Sequence, residues 1–129
     1  MVDSSAPPLV FVIDDDTRSA RLLARLLRED GFAVEVHADG SEALLRLGRA
    51  PKPNLIVTDY RMPNADGLAV ARYARAQIPE IPVFIITAYP ELIDRTADAS
   101  HAQVFTKPLS YQQPTEAPRA PNRLETRSE

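Results

Sequence analysis

The chain has 129 residues, a mass of 14.3 kDa, a net charge of −3 and a pI near 5.4, enough for one domain around a single core. That charge balance argues against a nucleic-acid-binding face, which needs a basic patch. No apolar stretch approaches the roughly 20 residues of a membrane helix, the first eight residues lack a signal-peptide core, and without cysteine there is no disulfide, thiolate nucleophile or zinc–thiolate site; no nucleic acid, no membrane and a cytoplasmic setting are the expectations.

Leu9-Val10-Phe11-Val12-Ile13 is a continuous apolar run that ends on Asp14-Asp15-Asp16. Such short β-branched and aromatic runs read as buried strands of a parallel sheet. Thr17–Asp30 carries Ala20, Leu22, Leu23, Leu26 and Leu27 at helical spacing, with Gly31 placed to terminate the helix. Ala33-Val34-Glu35-Val36 alternates as a half-covered strand does. Ser41, Ala43, Leu44, Leu45 and Leu47 suggest a second helix, ended before Pro51 and Pro53. Leu55-Ile56-Val57-Thr58 runs into Asp59, and Asp66-Gly67 precedes a third helix through Leu68, Val70, Ala71 and Ala74. Val83-Phe84-Ile85-Ile86 runs into Thr87, and Pro90 opens a short fourth helix, a position where proline is tolerated. The last strand, Val104-Phe105-Thr106, runs into Lys107-Pro108.

The strands ending at Asp14, Asp59 and Thr87 are apolar throughout, as central strands are, whereas the other two are short and mixed, as edges are. With right-handed crossovers this predicts an α/β fold, a doubly wound five-stranded parallel sheet in the order 2-1-3-4-5. Ligands of open parallel sheets sit outside the carboxyl ends of the strands, at the switch point. Asp14 and Asp15 then face Asp59 between strands one and three, with Thr87 and Lys107 on the same rim. Clustered carboxylates repel, so they share a proton or bind a divalent cation. An all-oxygen cluster suits Mg²⁺, which keeps waters and takes a phosphate oxygen. An aspartate there can act as nucleophile toward a phosphoryl group, with Lys107 and the Thr87 hydroxyl on its oxygens and small Ala88 leaving room. Plainer roles fit other residues: Asp16 or Thr17 as a helix cap, Arg18, Arg21, Arg25 and Arg28 as a solvated stripe, His37 and His101 as surface residues.

Taken in order, Asp14-Asp15, Asp59 within Asp59-Tyr60-Arg61-Met62-Pro63-Asn64-Ala65-Asp66-Gly67, Thr87-Ala88 and Lys107-Pro108 resemble the receiver domain of two-component response regulators, over residues 8–110. The resemblance implies a flavodoxin-like receiver fold with Asp59 as phosphoacceptor. It implies a metal set of Asp14 (directly or through water), Asp15, Asp59 and the Arg61 carbonyl, and Thr87 and Lys107 in contact with the phosphoryl group. A histidine kinase or histidine phosphotransfer protein would be the donor, and the Lys107-Pro108 bond is commonly cis in such domains. The function implied is a signalling phosphoacceptor and not an enzyme. Two other classes are a receiver-shaped interaction module not switched by phosphorylation, and a haloacid-dehalogenase-like phosphatase. The latter requires Asp-x-Asp-x-Thr; Asp14 and Asp16 fit, but Arg18 occupies the threonine position.

The chain also departs from the receiver pattern. Val104 occupies the usual aromatic position, and Phe105 beside it should face the opposite side of the strand. The Thr87–Lys107 interval is short, which trims the fourth helix. Leu109–Gln113 allows barely one turn before Pro114, Pro118 and Pro121, so the fifth helix is expected to be missing or truncated. The expected organisation is an N-terminal extension at 1–7, a receiver domain at 8–113 and a proline-rich disordered or extended tail at 114–129, with no output domain following. The first and fifth helices would share one face, so a missing fifth helix exposes apolar surface. The expectation is a homodimer or a docked partner on that face, or else the tail folded back with Tyr111 filling part of the gap.

Overall fold

β1 (Leu9–Ile13), β3 (Leu55–Asp59) and β4 (Val83–Thr87) form the centre of a parallel sheet, with β2 (Ala33–His37) and β5 (Gln103–Thr106) at its edges. In this computed structural model, which describes residues 6–93, 102–107, 109–111 and 124–126, the order is β2-β1-β3-β4-β5, the one the strand composition predicts. Three helices cross over: α1 (Thr17–Glu29), α2 (Gly40–Leu47) and α3 (Gly67–Gln77). After β4 there is a single 3-10 turn, Pro90–Leu92. Any continuation of the expected fourth helix, His101 and the Lys107-Pro108 bond fall outside the described residues.

Each α-helix begins on an aspartate whose side chain accepts from amides of the first turn. Asp16 accepts from Arg18 and Ser19, Asp39 from Glu42, and Asp66 from Ala69. These caps satisfy amides that no helical carbonyl can reach. Past the end of α1, Gly31 takes φ 97°, a left-handed conformation that costs glycine nothing.

Side chains alternate across the sheet and build two cores. Phe11, Ile13, Leu47, Ile56, Val70 and Ile85 fill the side of α2 and α3. Val10, Val12, Ala20, Ala24, Leu27, Val57, Phe84 and Ile86 fill the side of α1. Val104 joins the first core and Phe105 the second, as the alternation predicts, and the Phe105 ring lies 5.0 Å from that of Phe84. Arg46, only 5% exposed, grips Glu35 of β2 through two hydrogen bonds of 2.9 and 3.0 Å and lies over the Phe11 ring. It also donates to the carbonyls of Arg49 and Pro51, so this buried cation is fully engaged and ties α2 to the sheet edge.

Among the described residues, α1 is the one helix on its face. A groove of about 500 Å³ runs beside it, between Ser19, Leu22, Leu23 and Leu26 on one wall and Val12, Val57 and Ile86 below. Leu22 is 56% exposed there. Beyond Lys107, Leu109–Tyr111 forms a strand (β6) instead of the single helical turn the sequence allowed. It pairs antiparallel with Leu124–Thr126 (β7), Leu109 opposite Thr126 and Tyr111 opposite Leu124. A helix limited to five residues by Pro114 pays the nucleation cost for almost no hydrogen bonds, whereas a ladder satisfies each segment against the other.

Phe84 is 1% exposed, so Phe84→Ala is expected to cost about 3–5 kcal/mol in urea unfolding. Phe105→Ala, at a half-buried edge position, should cost distinctly less. A larger loss for Phe105→Ala would contradict this arrangement of the α1-side core.

Candidate functional site

Strand register brings the acidic residues together. Ile13 is paired with Thr58, so the residues that follow, Asp14 just past β1 and Asp59 at the last position of β3, lie side by side at the carboxyl edge. Asp14 is held there by its own amide, which donates to the His37 carbonyl at 3.0 Å. One carboxylate oxygen from each of Asp14, Asp15 and Asp59 lies within 4.8 Å of the others. Asp15 is exposed and Asp14 half-buried, while Asp59 is 9% exposed. Asp16 is not part of this group: it caps α1, accepting from two amides and from the Ser19 hydroxyl. A phosphatase of the Asp-x-Asp type would need that side chain in the site.

The cation of the rim comes from the far edge. Lys107 follows β5, and its amide donates to the Thr87 carbonyl at 2.8 Å. Its Nζ reaches Asp59 Oδ1 at 3.0 Å, and the same oxygen accepts from the Tyr60 amide at 3.1 Å. Burial works against the Lys107 charge, but the hydrogen bond to Asp59 and the attraction of Asp59, Asp14 and Asp16 together hold its pKa above the usual range. Asp14 moves the other way. Burial pushes its carboxyl up to about 6, opposed by the Asp16 amide that donates to it and reinforced by the charge of Asp59.

Thr87 ends β4 and is 5% exposed. Its Oγ1 accepts from the Tyr89 amide at 3.1 Å, which leaves the hydroxyl proton free for another acceptor. Arg61 and Tyr89 are exposed. Arg61 lines an open cavity of about 510 Å³ with Asp15, Tyr60, Met62, Pro63 and Asp66. The residues singled out in the sequence therefore lie on one rim. The donors nearest one another are all carboxylate oxygens, and they carry more negative charge than Lys107 offsets. Such a set fits a hard, oxygen-seeking divalent ion.

The sequence reading missed other partners. His37, expected at the surface, has a side chain only 11% exposed, lies edge-on to Phe11 at 5.2 Å, and has Nδ1 3.2 Å from Glu42. Its alternation within β2 was the available signal. Arg28 is not a free member of the arginine stripe, since it donates to the Val34 carbonyl at 2.8 Å, and Arg25 pairs with Glu29.

Known proteins resemble this chain in sequence and fold. The response regulator receiver domain family matches residues 10–117. The response regulator MprA of Mycolicibacterium vanbaalenii is 34% identical over 109 residues, covering 83% of this chain and 47% of that protein. The chain thus spans about half the length of the curated relatives it matches. The solved chemotaxis protein CheY4 of Vibrio cholerae has a TM-score of 0.70 at 26% identity, over 80% of this chain and 88% of that one. The receiver domain of the sensor histidine kinase PA1611 of Pseudomonas aeruginosa, solved with a magnesium ion coordinated in its active site cleft, has a TM-score of 0.67 at 26% identity, over 80% and 87%.

Between the ordinary carboxyl value of 3.8 and about 6, the folded chain keeps a proton on Asp14 that the unfolded chain has released. Stability therefore falls as pH rises through this window and stays lowered above it. In chelator, Asp14→Asn is expected to be more stable than the parent at about pH 8 and nearly equal to it at about pH 4. Urea unfolding at both pH values measures this; a variant less stable at the higher pH contradicts it.

Proposed function

The chain belongs to the response regulator receiver domain family, and on that premise we propose that it is the phosphoacceptor of a two-component phosphorelay, receiving a phosphoryl group on Asp59 from a histidine kinase or histidine phosphotransfer protein. The observation that carries the reading is the meeting of Asp14, Asp15 and Asp59 with Lys107 already on Asp59 Oδ1. An isolated structural aspartate would not need two further carboxylates beside it.

In this reading an Asp59 carboxylate oxygen forms the new bond to phosphorus as the phosphorus–nitrogen bond to the donor imidazole breaks. Asp14, Asp15, Asp59 and the Arg61 main-chain carbonyl would hold Mg²⁺, which when bound supplies neutralising charge beside a phosphoryl oxygen. Lys107 shifts from the Asp59 carboxylate to a phosphoryl oxygen, and its raised pKa keeps it charged for that role. Thr87 donates its free hydroxyl proton to another phosphoryl oxygen. The low exposure of Asp59 limits the approach of water to the acyl phosphate, with Arg61 and Tyr89 flanking that approach. The chain acts as a signalling domain that is itself the substrate of phosphoryl transfer.

One observation favours a second reading, a receiver-shaped interaction module that phosphorylation does not switch. Val104 stands where receivers usually carry an aromatic, and Phe105 is turned to the α1 side against Phe84. A single experiment separates the two. Incubation with acetyl phosphate and Mg²⁺ is expected to add the mass of one phosphoryl group to the intact protein. Chelator or Asp59→Asn should abolish the gain, since the amide is isosteric but a poor nucleophile. An adduct that persists in Asp59→Asn and maps to Asp14 refutes the assignment, and no adduct on the parent chain supports the module.

The homodimer expected from the sequence belongs to the same proposal, with Leu22 and the groove beside α1 as its apolar surface. Light scattering should give twice the 14.3 kDa chain mass at micromolar concentration, and Leu22→Glu should return it to the monomer. A parent chain that is monomeric throughout removes the dimer from the proposal.

A further inference from the structure

The segment after Asp59, residues 60–66, carries Arg61 past the acidic rim and enters α3 at Gly67. Its exit is packed backbone to backbone. A Cβ on Gly67 would lie 2.7 Å from the Asp59 carbonyl oxygen, and the Gly67 amide donates to the Tyr60 carbonyl at 2.8 Å. That closure is internal to the loop. A second one comes from a different element.

Gly40 is the first residue of α2 and is buried. A Cβ there would overlap the Ala65 carbonyl oxygen and come within 2.8 Å of both the Ala65 carbonyl carbon and its Cβ. Beside this contact, Asn64 Nδ2 donates to Asp39 Oδ2 at 3.3 Å. Asn64 has φ 75°, the one positive value among the described non-glycine residues. The Ala65 amide turns back to the Pro63 carbonyl at 2.8 Å. The loop therefore rests on the bare main chain at the start of α2, with an Asp39–Asn64 bond at its side. No other residue type leaves room for this approach.

If the seat were filled, one side would have to give. α2 is anchored by the fully buried Ala43 and Leu47 and by the Arg46–Glu35 pair. Pro63 and Asn64 are exposed. The loop would yield first, and Arg61, three residues before Asn64, would move with it. We propose that Gly40 is a positioning residue of the acidic site: the backbone at the start of α2 seats Asn64–Ala65 and so holds the Arg61 main chain at the metal-binding rim. This rests on the reading that the rim binds Mg²⁺.

The test is Mg²⁺ titration of the full chain, followed by the backbone amide NMR signals of residues 59–67. Gly40→Ala is expected to weaken Mg²⁺ binding roughly tenfold and to shift the loop amides even without metal, as loss of a support behind a ligand does. Gly31→Ala is the matched control. Gly31 has φ 97°, and a Cβ on it would meet nothing within 4 Å, so alanine strains the backbone and lowers the melting temperature without touching the loop. Its Mg²⁺ affinity should equal that of the parent. Asn64→Gly keeps the positive φ but removes the bond to Asp39, and should weaken binding about threefold. Parent-like affinity and unshifted loop amides in Gly40→Ala, an equal loss in Gly31→Ala, or, should Gly40→Ala fail to fold, an unchanged Asn64→Gly would each overturn the proposal. A parent chain that binds no Mg²⁺ overturns the functional reading as well, whereas the other outcomes leave that reading standing.

Discussion

Like charge gathered at the carboxyl rim of the sheet is the constraint on which the rest depends. Asp14, Asp15 and Asp59 approach within 4.8 Å of one another, and two features lessen the charge gathered there. Burial, with the charge of Asp59 adding to it, pushes the Asp14 carboxyl up to about 6, and Lys107 closes on Asp59 at 3.0 Å. Neither balances the cluster at neutral pH. A site that repels itself costs stability, and it persists because strands on both sides have no freedom to let it spread.

That rigidity comes from unequal support on the two faces of the sheet. The side of α2 and α3 is densely filled, and Arg46 locks α2 to Glu35 at the β2 edge. The loop bearing Arg61 sits against that locked helix through Gly40 and Asp39. The side of α1 has one helix among the described residues and a groove alongside it. There Phe105 packs at a tilt against Phe84 from β5, the edge strand that leads into Lys107. The cation of the site thus hangs from the less covered face, and the acidic groups from the interior of the sheet.

Much of this was legible in the linear chain because it depends on short-range rules. Continuous apolar runs can be satisfied only as strands covered on both faces, so β1, β3 and β4 and their central places followed from composition. Aspartates before helical runs follow from unpaired amides, and Asp16 and Asp66 cap as they should. Residues that end central parallel strands must share a rim, so the strand pattern alone was enough to group Asp14, Asp59 and Thr87.

What the sequence could not determine was set by contacts between distant segments. Alternation sets the side of β2 on which His37 lies, but its close enclosure comes from Phe11 and Glu42, which converge on it. Arg46 lies in an ordinary amphipathic helix, and only the approach of β2 supplies the carboxylate that makes its burial tolerable. Leu109–Tyr111 could be judged a poor helix from Pro114, but its partner Leu124–Thr126 lies beyond any local pattern. Gly40 is locally no more than a glycine at a helix start, and its seat for Ala65 exists only once the sheet has set α2, which follows β2, beside the loop that follows β3. The sequence by itself determined the five parallel strands, the three α-helices between them, their order and which residues gather on the rim, because periodicity and capping are local. Which cations are buried, which backbones touch and how the Asp59 loop is held were decided by tertiary structure, because close packing depends on distances between segments that no spacing along the chain encodes.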